Sequence, residues 1–144
     1  MKSLAIRGVV LLVIALAFAV PAFASQPTEA EGRTVVTEWD FSSGRPVATV
    51  EWTGTFEGVM THTLSEGRAD MAVFVGWVDG RFGTLDMLIL RTWGDAGIPG
   101  LRGDWVILSG TGGLETLRGQ GSFVLDSFDP VGGPYQGQIH FDPE

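Results

Sequence analysis

The sequence predicts an all-β fold, a small antiparallel β-barrel of about seven to eight strands. Three observations carry that expectation. Apolar residues alternate or run in short blocks and do not recur at three and four, so nothing past the N-terminus reads as an amphipathic helix. Glycine is too abundant for helices, with 21 in 144 residues. Turn signals return roughly every 8 to 15 residues, the rhythm of a sheet built from short strands.

The N-terminus stands apart from this pattern. Lys2 and Arg7 make a positive start, Val9 to Val20 is unbroken apolar, and Pro21 leads into Ala22-Phe23-Ala24, a small-x-small cleavage pattern. The apolar run falls short of the about 20 residues that cross a bilayer. The expectation is a signal peptide over residues 1–24, export to the periplasm or beyond, and no stable membrane insertion after cleavage. The chain beyond residue 24 is long enough for one domain with its own core, and a chain without cysteine must rely on that core. Residues 25–32 (SQPTEAEG) read as a flexible lead-in unless they add to a sheet edge. Residues 33–144 read as a single barrel domain.

Within that domain Thr34 to Phe41 is the first strand. Val47 to Thr63 reads as one long strand with Val50, Trp52, Phe56, Met60 and His62 on one face. Glu51, Thr53, Thr55, Glu57 and Thr61 share the other. Gly54 and Gly58 within it suggest bends or close approach. Ala69 to Val78 is apolar on both faces and is expected to be covered on both. Asp79-Gly80 is a favoured two-residue hairpin turn leading to a strand from Gly83 to Trp93. Gly94 to Gly103 is a loop by composition, and Asp104–Ser109, Gly119–Asp126 and Tyr135–Phe141 complete the strands.

Charge narrows the function. Beyond residue 24 there are seven arginines against seventeen acids and no lysine, a net of −10. Such a surface does not neutralise phosphates, so no nucleic acid partner is expected. Without lysine or cysteine there is no Schiff-base amine and no thiolate nucleophile or metal ligand.

The segments EWTGTFEG, VDGRFGTLDMLIL, DWVILSGTGGLETLRGQGSF and YQGQIHFD, in this order from Glu51 to Asp142, resemble an uncharacterised bacterial family. Its barrels are similar to those of allene oxide cyclases and plant dirigent proteins. The resemblance implies a closed barrel, calycin-like or allene-oxide-cyclase-like, with an internal cavity and a tendency to form a homo-oligomer. Glu115-Thr116 departs from the small residue and glycine expected after the Gly-Thr-Gly turn. Nothing matches the catalytic residues of allene oxide cyclases, so the resemblance implies no isomerase activity.

The glycine-rich Ser109-Gly110-Thr111-Gly112-Gly113 has neither a helix behind it nor a following lysine, so it reads as a strand-to-strand turn and not a phosphate cradle. His62 and His140 lack metal-site spacing, and Asp126 with Asp129 lacks a calcium-loop pattern, so no metal and no cofactor is expected. His62 shares a face with apolar rings and reads either as a satisfied core histidine or as a hydrogen-bonding group of a pocket. His140, beside Gln136 and Gln138, reads as solvent-facing. Glu57 and Asp86 interrupt apolar strands and are the carboxylates to weigh for acid–base chemistry. The polar neighbours of Glu57 place it in solvent, while Asp86 stays open. The resulting expectation is a barrel that binds a small apolar ligand through Trp52, Phe56, Met60 and His62. The alternatives are a cyclase- or isomerase-type enzyme using Glu57 or Asp86, and a self-associating subunit that buries Ala69 to Val78.

Overall fold

Period-two alternation becomes nine antiparallel strands in a computed structural model that describes residues 26–92 and 102–143. They are β1 (Thr28–Asp40), β2 (Val47–Gly54), β3 (Phe56–Thr63), β4 (Ala69–Val78), β5 (Arg81–Thr92), β6 (Arg102–Gly112), β7 (Leu117–Val124), β8 (Ser127–Phe128) and β9 (Val131–Phe141). Each strand from β1 to β7 pairs with the next, β7 pairs with β9, and β9 returns to β1. Eight strands thus close an antiparallel barrel, with the two-residue β8 added beside β9. No helix among the described residues is long and apolar enough to cross a membrane. The expected signal peptide lies outside the described residues, as does the expected loop from Gly94 to Gly103 except for Arg102 and Gly103, which belong to β6.

Three expectations are revised by the strand map. Val47 to Thr63 is a hairpin and not one strand, because the chain reverses at Gly54-Thr55 with Gly54 in the left-handed region (φ 97°). The register pairs Val50 with Met60 and Ala48 with His62. Paired residues share a face in an antiparallel ladder, so the inward set is still Val50, Trp52, Phe56, Met60 and His62. Residues 28–32, expected in a flexible lead-in, join a sheet edge: Thr28 to Val35 pairs with β9 and closes the barrel. Finally, β4 is covered on one face alone. Asp70, Ala72, Phe74, Gly76 and Val78 are buried inside, while Met71, Val73, Val75 and Trp77 are exposed outside. A barrel wall has only one interior side, and no other described strand forms a second layer over it.

The turn chemistry agrees with the sequence. Asp79 and Gly80 both take positive φ (51° and 72°), as a two-residue hairpin demands. The Gly112-Gly113 segment turns β6 into β7 and tucks Leu114 fully under that end of the barrel.

The interior is filled unevenly. At the end carrying the β2–β3 and β6–β7 turns, Trp52, Phe56, Phe74, Trp105 and Tyr135 pack mostly edge to face, at ring separations of 4.6 to 6.4 Å. Edge-to-face contact places ring hydrogens on ring π faces, which adds to the burial of apolar area. Eight strands leave room for this plug because glycines face it. Gly121 and Gly137 are paired neighbours, and a Cβ on either would stand within 2.6 Å of the Trp105 ring. Tyr135 fastens the plug to the wall: its hydroxyl donates to the Thr53 carbonyl (2.8 Å) and accepts from the Phe56 amide (3.0 Å).

Candidate functional site

The opposite end of the barrel is where the interior stays open. A cavity of about 120 Å³ is lined by Val36, Val50, Trp52, Met60, His62, Ile89 and Phe123, with Trp39, Leu64 and Leu125 nearer the opening. Its floor is the aromatic plug and its wall is almost wholly apolar. Of the four residues expected to line a ligand site, Trp52, Met60 and His62 meet here. Phe56 faces inward but is fully buried in the plug and does not reach the cavity.

Trp52 carries the buried side-chain polar atom that, among the described residues, has no hydrogen-bond partner, Nε1. The indole packs against the rings of Phe56, Phe74 and Trp105. Thr34, also on the cavity wall, donates its hydroxyl to the Gly133 carbonyl at 3.2 Å.

His62 is the polar edge of the cavity, and its environment is built by residues that sequence reasoning missed. Nε2 of His62 lies 2.7 Å from Asp70 Oδ2. Asp70, its side chain wholly buried, also accepts from Arg91 Nε (2.6 Å) and from the backbone amide and hydroxyl of Ser65. Arg91 extends the network to the Ser65 and Gly67 carbonyls, so the β3–β4 loop is tied down around one carboxylate. Burial alone would raise the Asp70 pKa; the hydrogen bonds from Arg91, Ser65 and His62 outweigh it and hold the carboxyl down at about 2. For His62 burial is the strongest influence and lowers its pKa; Asp70 pulls the other way and Arg91 adds to the lowering. The imidazole is therefore neutral at pH 7. Asp70 was visible in the sequence as the acidic residue at an inward position of a strand whose other inward positions are Ala72, Phe74, Gly76 and Val78.

Glu57 and Asp86, weighed as acid–base candidates, both sit outside the wall, exposed to solvent. Glu57 is cross-strand from Trp77, and Asp86 accepts a hydrogen bond from Ser109 Oγ at 3.1 Å. Neither reaches the cavity. His140 pairs with Asp142 on the outside of β9 at 3.0 Å. Among the described residues no group of three or more His, Cys, Asp or Glu side chains is arranged to hold a metal ion.

Neither a protein-family model nor a curated protein matches the chain. Among solved structures, the chain is similar to a protein of unknown function from the DUF3224 family of Shewanella oneidensis MR-1. The two are 18% identical, with a TM-score of 0.53 over 83% of this chain and 100% of that one. At that identity the likeness speaks for a shared barrel fold.

Proposed function

We propose that this barrel binds a small apolar molecule in the cavity at its open end, with Trp52, Met60 and His62 as contacts. The observation that carries the reading is the cavity itself, an apolar recess with one polar edge in an interior otherwise packed with aromatic and aliphatic side chains. Ligand sites are usually concave and apolar, with a few placed polar groups. A cavity near this size accepts one aromatic ring, since roughly 150 Å³ suffices for benzene. Larger ligands would leave part of themselves in the opening. The resemblance to allene-oxide-cyclase-like barrels, whose implied cavity is the relevant feature, supports the same reading, and the N-terminal motif supports its operation outside the cytoplasm.

Toluene is a suitable first probe. Titrating it into the protein should move the methyl resonances of Met60, Val50 and Ile89 and leave those of Val73 and Val75 in place. Replacing Met60 with Trp should fill the space and abolish the effect. Unmoved interior methyls at saturating toluene would defeat the proposal.

A second reading is supported by a separate observation. The outer face of β3 to β5 exposes Val59, Met71, Val73, Val75, Trp77 and Phe82 side by side. We read this stripe as the surface through which two copies associate. Acid–base chemistry by Glu57 or Asp86 finds no such support, because both lie across the wall from the cavity.

A further inference from the structure

We propose that the cavity selects apolar molecules carrying a single hydroxyl group, phenols or comparable alcohols, and that Nδ1 of His62 accepts the hydrogen bond from that hydroxyl. The inference rests on the reading of the cavity as a ligand site and deepens it.

Hydrogen-bond bookkeeping around Asp70 assigns the tautomer. An ionised carboxylate only accepts, so the 2.7 Å contact requires His62 Nε2 to donate. In a neutral imidazole the other nitrogen then bears a lone pair and no proton. That nitrogen, Nδ1, has no hydrogen-bond partner among the described residues. It belongs to a side chain that lines the cavity. Thr34 has already committed its hydroxyl proton to Gly133. His62 therefore brings an acceptor to the cavity lining, where, among the described residues, the buried indole N–H of Trp52 is the other unpaired polar group and the rest of the wall is mostly apolar.

Three classes of ring-sized ligand fare differently there. A plain hydrocarbon fills the space but leaves the lone pair facing apolar atoms. A carboxylate brings its own lone pairs against Nδ1 and loses its hydration. A neutral hydroxyl supplies the missing donor and puts its ring against Val50, Met60 and Ile89. A single neutral hydrogen bond of this kind is worth roughly tenfold in affinity.

The test compares toluene, 4-methylphenol and 4-methylbenzoate, which share a ring and differ at one position. Affinities come from NMR titration of the purified protein, and the protonation of His62 from its imidazole ¹⁵N shifts. The expected result is that 4-methylphenol binds roughly tenfold more tightly than toluene and that 4-methylbenzoate binds least. Nδ1 should show the unprotonated shift in the free protein and move on addition of the phenol but not of toluene. His62→Phe should bring the phenol down to the toluene affinity. Equal affinity for toluene and the phenol, with Nδ1 unmoved, overturns the selectivity and leaves the cavity reading intact. A protonated Nδ1 in the free protein overturns the tautomer, and the selectivity with it. If none of the three binds, the cavity reading falls as well. The ¹⁵N readout needs no variant, so the outcome does not depend on whether His62→Phe folds.

Discussion

Asp70 concentrates more of this protein's electrostatics than any residue singled out from the sequence. Its carboxylate is buried yet faces Arg91, Ser65 and His62 at hydrogen-bonding distance. Replacing it with Asn removes the charge that compensates Arg91, whose side chain is only 11% exposed. A buried charge left without its partner costs about 3 kcal/mol, so Asp70→Asn should lower the urea midpoint by the corresponding amount. An unchanged midpoint would show the network to be ornamental. The pH dependence comes from the two shifts. Asp70 at about 2, below its ordinary 3.8, contributes about 2 kcal/mol that is complete above pH 4 and lost as pH falls through 2. His62, also lowered, contributes stability that is complete above its ordinary 6.5 and lost as pH falls through its lower folded value. The charged side chains facing it are Asp70 and Arg91, and Ala48 and Ala72 flank it on β2 and β4. Stability should therefore fall in two steps on acidification, the histidine step first. A phenol bound through Nδ1 should dissociate over that first step, because a protonated imidazole has no lone pair to offer.

Among the elements, the β2–β3 hairpin shows how sequence reasoning can be right about a face and wrong about a strand. Gly54-Thr55 sits within an uninterrupted period-two pattern, and a glycine there reads equally as a bend or a reversal. The even register that pairs Val50 with Met60 keeps the alternation in phase through the turn, so the inward set survives the error. What could not be seen was the lock on that turn. Tyr135 lies on β9, 79 residues from Phe56 in sequence, and its hydroxyl bridges Thr53 and Phe56 only once the barrel has closed. Burial, the largest influence, pushes this hydroxyl up to about 12, so it remains a donor throughout the working pH range. Tyr135→Phe keeps the ring in the plug and leaves the Phe56 amide buried without an acceptor. The expected cost is about 1–3 kcal/mol, measurable by thermal or urea unfolding, with faster hydrogen exchange at the Phe56 amide than elsewhere on β3. The Asp70 cluster was hidden for the same reason: Ser65, Asp70 and Arg91 meet across β4, β5 and a loop that composition left unspecified.

At the scale of the whole molecule, the barrel's two outer sides differ in kind. Around β7, β9 and β1 the outward residues are mostly polar, with Gln120 beside Gln138, Ser122 beside Gln136 and Glu29 beside Gln138. Around β3 to β5 they include Val59, Met71, Val73, Val75, Trp77 and Phe82, with Trp77 and Phe82 in ring contact at 5.1 Å, and Glu57 and Asp86 stand beside Trp77 and Val73. A girdle of apolar residues on all sides would suit lipid, whereas one apolar side on an acidic barrel suits a second copy. The stripe exposes on the order of 500 Å² of apolar surface, near the upper end for a lone monomer. With its polar rim it approaches the roughly 800 Å² per partner of a standard interface. Along β4 the stripe is also suited to meet itself: about a two-fold axis between Val73 and Val75, Met71 of one copy faces Trp77 of the other. This also accounts for the expectation that β4 be covered on both faces, since the outer cover would come from outside the chain. Sedimentation velocity at tens of micromolar should find a dimer, and Val75→Asp, at an exposed position that the fold does not need, should leave a folded monomer. If the wild-type protein sediments as a monomer at that concentration, the stripe is not a self-association surface. If the wild type is dimeric and Val75→Asp remains so, the dimer is held elsewhere on the wall, and β4's outer valines need another explanation.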